Sequence, residues 1–257
     1  MDTLPDLDIV RTWHLPVRAE DADGDSLATM EVRFSTFDTW YEINSWWEGR
    51  FLERTRRGAF RKTIRENGSN VKVLFNHGYD YTTGNKLLGP VDELREDSDS
   101  PVGVVSLFDT SYNRDLVPGL RAGVYGSSFM FRVIKDEWNN EPGVSDHNPE
   151  GLPERTIKEV RLFEFGPVTW PANPDATAGL RCVSGTDAYY QQLRSYDPQR
   201  VDALRSRMAA IRTPDAPPAA PALAPEGAAP STTDEPARSH SGGMTPGERR
   251  QRLYALT

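Results

Sequence analysis

Cysteine is almost absent: the 257-residue chain holds one, Cys182. A lone cysteine excludes an internal disulfide framework and fits a reducing compartment. No stretch approaches the roughly 18 consecutive apolar residues that a membrane-spanning helix needs. The opening MDTLPDLDIV is acidic and lacks the basic start and apolar run of a signal peptide. A soluble, intracellular protein with no membrane partner is therefore expected. Positive charge is also short. Lys and Arg number 30 against 38 Asp and Glu, for a net charge of −8, which argues against a nucleic-acid grip spread over the surface. The local basic run Arg54, Arg56, Arg57, Arg61 and Lys62 is diluted by Glu53 and Glu66 and reads as a solvated helix face.

Apolar residues make up 37% of the chain, and beyond Tyr196 the only aromatic is Tyr254. Core material is thus confined to the first two-thirds, a length that still buries a substantial core. Residues 1–28 are acidic and poorly patterned and read as an N-terminal arm. From Met30 the alternation Met30, Val32, Phe34 marks a half-buried strand. GAF at 58–60 opens a short helix that stops near Asn67-Gly68. VKVLF (71–75) is an apolar strand running into Asn76-His77-Gly78. LLGPV (87–91) and VGVVSLF (102–108) read as further strands, residues 112–121 as a helix ending at Gly123, and VYGSSFMFRVI (124–134) as a central strand. Residues 139–155 form a long loop or flap. IKEVRLFEFGPVTW (157–170) supplies the last strand pair.

After about residue 186 the composition changes. A helical extension over 187–212, centred on a helix at 199–212, leads into an Ala/Pro-rich stretch (213–243) that should stay an extended, disordered linker. Thr245, Pro246 and Glu248 have the N-cap, N1 and N3 pattern of a short terminal helix over 244–257. The chain thus reads as one α+β domain at 29–186, then a tether and a peptide-like end.

Metal and phosphate chemistry lack their usual ligands. There is no CxxC or HxxxH pair for zinc, no GxxxxGK[ST] loop and no GxGxxG after a strand, so no cofactor is expected. Of the four histidines, His14 lies in the acidic arm, His147 in the polar loop and His240 in the tail. Only His77 sits at a strand end beside core residues, where a rigid scaffold can aim a side chain. A half-buried histidine capping a strand is the plainer alternative. Ser127 and Ser128 in GSSF face opposite sides of a strand, so one of them at most faces a cleft. Glu164 is an acid among Leu162, Phe163 and Phe165, and buried carboxylates are usually paired. Its partner is either an arginine such as Arg161 or a histidine. Pattern alone reaches a His–Ser–acid set and leaves these alternatives open.

Four segments in order, GAFRKTI, VKVLFNH, LRAGVYGSSFMF and EVRLFEFGPVTWPANPDA, resemble the tailed-phage prohead maturation protease family over about residues 28–182. That family carries a GxF helix, NH at a strand end, a G-x-S strand and a closing P-A-N stretch. Its fold is similar to that of the herpesvirus assembly proteases, so the resemblance implies a small β-barrel-like domain with helices packed around it. By position it implies His77 as catalytic base, Ser128 as nucleophile and Glu164 as third member. It implies a serine endopeptidase that cuts major capsid protein, scaffold protein and itself inside assembling proheads in the host cytoplasm, and it allows a homo-oligomer. Two departures stand out: Met130 where a glycine is common, narrowing the space beside Ser128, and Gly166-Pro167 in place of a Ser-Leu-type pair. The alternative is a catalytically inactive assembly or scaffold protein on the same fold. A hydrolase with a GxSxG elbow is disfavoured, because GSSFM lacks the second glycine.

Overall fold

In the computed structural model, residues 7–22, 25–170 and 182–211 are described. Among these residues eleven strands run in chain order: β1 (Ile9–Trp13), β2 (Arg18–Glu20), β3 (Ala28–Arg33), β4 (Tyr41–Ser45), β5 (Gly49–Thr55), β6 (Lys72–Val73), β7 (Val91–Glu96), β8 (Pro101–Leu107), β9 (Gly126–Asn139), β10 (Glu154–Val168) and β11 (Cys182–Ser184). Four α-helices accompany them among the described residues: α1 (Arg61–Asn67), α2 (Ser111–Ala122), α3 (Thr186–Tyr196) and α4 (Pro198–Ile211). The class is α+β.

The first sheet runs β11-β1-β9-β10-β5-β4, with β6 added beside the far end of β10; the second runs β2-β3-β8-β7. The β-barrel implied by the resemblance is therefore not found among the described residues, where the strands pair into two sheets that do not close on each other. Aromatic side chains fill the space between them. Phe34, at the end of β3, stacks on Phe165 of β10 at 4.9 Å and lies 5.5 Å from Phe129 of β9 and 5.6 Å from Phe60 at the start of α1. All four are buried, each contributing about 1.5–3 kcal/mol of apolar transfer.

Several elements differ from the sequence reading. The stretch read as an unpatterned arm holds β1, whose five residues are all buried. Its IVRTW sequence is β-branched and aromatic enough for a strand, but the arginine breaks the alternation. VKVLF pairs over only two residues, because the chain must leave β10 to form the His77 turn. LLGPV is not a strand: Gly89-Pro90 interrupt it, and pairing begins at Val91. The expected last pair is one strand of 15 residues, β10, bent by register shifts near Glu159 and Glu164. The helical extension expected over 187–212 is present as two helices, α3 and α4, which break at Asp197 before Pro198. Helix α2 stops as expected at Gly123, whose left-handed φ of 65° ends the helix. The linker and terminal helix expected over 213–257 lie outside the described residues. Among the described residues no helix is long and apolar enough to cross a membrane.

Beneath β1 lies a buried ion cluster. The Arg11 guanidinium is fully buried and reaches Glu53 (Nε–Oε1 2.8 Å, Nη2–Oε2 3.0 Å) and Glu48 (Nη2–Oε1 2.7 Å, Nη1–Oε2 2.9 Å). Arg155 adds a contact to Glu53 at 3.3 Å and one to Asp136 at 2.8 Å, and the Tyr41 hydroxyl donates to Glu53 at 2.8 Å. Burial works against the charge on Arg11, yet the two carboxylates hold its pKa well above the usual value. Burial likewise works against ionisation of Glu48, but Arg11 outweighs it and keeps the carboxyl below its usual range.

Candidate active site

Ser128 lies near the start of β9, between β1 on one side and β10 on the other. Its cross-strand partners are Thr12 and Gly166. Alternation turns Ser127 to the opposite face, where its hydroxyl is buried without a hydrogen-bond partner among the described residues. Glu164 lies two residues before Gly166 and pairs with Met130, so Ser128, Met130, Glu164 and Gly166 share one face.

His77 reaches that face from a tight turn. Asn76 and His77 both have left-handed backbone, φ 47° and 57°, and Gly78 follows at 77°. Non-glycine residues in this region cost on the order of 1 kcal/mol or more, although asparagine tolerates it better than most. The turn is held by two hydrogen bonds: Asn76 Nδ2 donates to Thr169 Oγ1 at 3.2 Å, and Thr169 N donates to Asn76 Oδ1 at 2.9 Å. Thr169 directly follows β10, so the strand that carries Glu164 also fixes the histidine turn. Close approach is allowed by Gly166, where an added Cβ would lie 1.9 Å from the Leu74 carbonyl oxygen.

The result is a continuous chain of polar contacts. Ser128 Oγ lies 2.7 Å from His77 Nε2, and His77 Nδ1 is hydrogen-bonded to Glu164 Oε1. Ser128 is fully buried, and the side chains of His77 and Glu164 are 11% and 6% exposed. With a carboxylate on Nδ1, the ring carries its hydrogen there and leaves Nε2 free to accept from the serine hydroxyl. Glu164 Oε2 is buried without a hydrogen-bond partner among the described residues, so the histidine is the carboxylate's polar partner. The arginine alternative for Glu164 is not realised: the Arg161 guanidinium sits over the Phe163 ring. Tyr79, 6.3 Å from His77 between ring centres, is half-buried, and burial pushes its phenol pKa up.

Residues 14–189 match the family described as caudovirus prohead serine protease. The chain belongs to that family. Among solved structures, the bacteriophage T4 capsid assembly protease gp21 aligns with 63% of this chain and 97% of its own, at 14% identity and a TM-score of 0.40. A comparison with curated proteins gives no match. Within this prohead protease chain, the structure brings together His77, Ser128 and Glu164 and leaves the other described histidines apart. His14 is exposed, and His147 stacks on Trp40 and meets Glu154 at 2.9 Å. Two contributors were not singled out by sequence reasoning. Asn76 was legible in principle, because Asn-His-Gly combines residues that favour left-handed turns. Arg11, whose main-chain oxygen lies 2.9 Å from Ser128 Oγ, left no local signal, since any residue type presents a carbonyl.

Proposed function

We propose that the chain is an active serine endopeptidase that cuts capsid and scaffold proteins inside assembling proheads in the host cell. Ser128 is the nucleophile, His77 the general base and Glu164 the group that orients His77. The observation that carries this reading is the relay from Ser128 Oγ through the His77 ring to Glu164. A serine hydroxyl becomes a useful nucleophile only with a base in hydrogen-bond reach and a third group fixing that base. His77 Nε2 takes the hydroxyl proton as Oγ attacks the scissile carbonyl carbon. The same proton passes to the departing amine, leaving an acyl-enzyme that water hydrolyses. Glu164, nearly buried, stabilises the imidazolium formed between these steps, and low exposure strengthens that attraction.

The deciding experiment co-expresses the wild-type chain or Ser128→Ala with the cognate capsid protein and follows both by intact mass. Cleavage by wild type alone supports the proposal. Equal cleavage by both removes Ser128 as nucleophile, and no cleavage while proheads form normally favours the inactive assembly protein. The tail at 213–257 is proposed as a docking element and a self-cleavage site; unchanged incorporation and processing after its deletion would end both ideas.

Gly166→Ala tests the approach of the histidine turn to β10. The added methyl meets main-chain atoms of Leu74, so the backbone between β6 and His77 must move. A displacement of about 1 Å can lower turnover on the order of 100-fold. The expected result is a fall in kcat with KM little changed and far-ultraviolet circular dichroism like wild type, checked by steady-state cleavage of a peptide substrate.

A further inference from the structure

We infer that Arg11, outside the residues that match the family, is a positioning residue for the nucleophile: its main-chain carbonyl shares the Ser128 proton with His77, and its buried guanidinium holds that carbonyl in place. The inference rests on Ser128 being the nucleophile. A serine hydroxyl has one hydrogen and three staggered rotamers. Here two acceptors converge on the same oxygen, His77 Nε2 at 2.7 Å and Arg11 O at 2.9 Å. Together they select one rotamer, the one from which the proton can move to the base. If the carbonyl shifts, Oγ loses one of the two contacts that fix its rotamer beside His77.

The carbonyl is a main-chain atom, so its place depends on what anchors β1. Register with β9 sets Thr12 opposite Ser128. Three further groups fix the arginine between them. Glu48 and Glu53 each take two of its N–H groups, and Thr186, the first residue of α3, accepts from Arg11 Nη1 at 3.3 Å and from Val10 N at 3.1 Å. A planar fork bridging two carboxylates is a geometry that lysine cannot reproduce. Arg11 pairs with Phe129 and Thr12 with Ser128, so the Arg11 side chain leaves β1 on the face opposite Ser128. The cluster's most direct link to Ser128 is the β1 backbone, and the Arg11 guanidinium also lies over the Phe131 ring of β9 at 5.9 Å.

The test uses a fluorophosphonate probe, which forms an Oγ–phosphorus bond with loss of fluoride while the serine proton passes to the base. It reports on the nucleophile without needing a known substrate. Labelling of the full chain is followed by intact mass in wild type, Arg11→Met, Arg11→Lys and Asp136→Asn, each at a temperature where it is folded. Asp136→Asn weakens the far end of the same cluster at Arg155 and leaves the Arg11 contacts alone. Expected rates are about tenfold lower for Arg11→Met, intermediate for Arg11→Lys and within about twofold of wild type for Asp136→Asn. Equal slowing in Arg11→Met and Asp136→Asn would mean general loosening and would overturn the inference. If Arg11→Met does not fold, Arg11→Lys and Glu48→Gln decide in the same comparison. An unlabelled wild type overturns the nucleophile assignment itself. Independently, the Arg11 carbonyl 13C resonance should move in Ser128→Ala more than that of Ile9; an unmoved carbonyl signal rules out the shared proton.

Discussion

The Glu164→Gln chain is expected to cleave peptide bonds about 10^4-fold more slowly than wild type, and Ser128→Ala about 10^6-fold more slowly. The order of the two follows from what each change removes. Alanine at 128 deletes the attacking atom and leaves only binding and whatever groups stabilise the oxyanion. Glutamine at 164 keeps the shape of the side chain in its buried slot but changes what it offers His77. Its amide can present N–H to Nδ1, which then becomes an acceptor and moves the ring hydrogen to Nε2. In that tautomer Nε2 cannot take the Ser128 proton. Because Glu164 Oε2 has no hydrogen-bond partner among the described residues, the substitution breaks no second bond, and folding should be preserved. Single-turnover cleavage of a peptide ester by both variants checks the prediction. A Glu164→Gln rate within a few-fold of wild type would remove the acid from the mechanism and leave a Ser–His pair.

Glu53→Ala should cost about 3–5 kcal/mol of folding stability. Glu53 has no exposed surface and is shared by Arg11, Arg155 and the Tyr41 hydroxyl. Removing it leaves two buried guanidinium groups facing each other with less negative charge between them. Breaking a buried pair is far more destabilising than the pair is stabilising, since desolvation has already been spent on the surviving charge. The double replacement Arg11→Met/Glu53→Leu should therefore lose less than Glu53→Ala alone. Guanidinium denaturation of the three chains measures this. A loss for Glu53→Ala below about 1 kcal/mol, the range of exposed ion pairs, would show that water reaches the cluster.

Much of the relay was legible from residue order. His77 followed a short apolar run, Ser128 lay in an alternating strand, and Glu164 was an acid where burial was expected. Periodicity could place each on an element, but could not say that β9 and β10 pair in the register that puts Glu164 and Ser128 on one face. That register is set by bulges near Glu159 and Glu164, and a shift of one residue would turn either side chain away. The choice between Ser127 and Ser128 came from the resemblance, and the structure separates them by face. What stayed hidden was non-local. The β1 segment reads as an arm because its arginine breaks the apolar pattern. That charge is tolerable only because Glu48 and Glu53, some forty residues later in the chain, arrive to meet it. The helical extension over 187–212 was legible, but its docking was not: Thr186 and Asp187 bond to β1 and to the Trp46–Trp47 turn instead of facing water.

The pairing of β1 has a consequence for synthesis. Arg11 and Ser128 are 117 residues apart in the chain, so at ribosomal rates of about 5–20 residues per second the first strand waits roughly 6–23 s for its partner. Its other neighbour, β11, pairs Arg11 with Ser184 and comes later still. Contacts of such long range are slow to form, because loop closure must precede any gain from pairing. Ser128, Glu164 and the β11 partner of β1 are all made after β1, so the proposed relay and both neighbours of β1 are in place only once most of the domain has been synthesised. On the proposed mechanism, this order of synthesis disfavours cleavage during translation before any shell, substrate or inhibitor takes part.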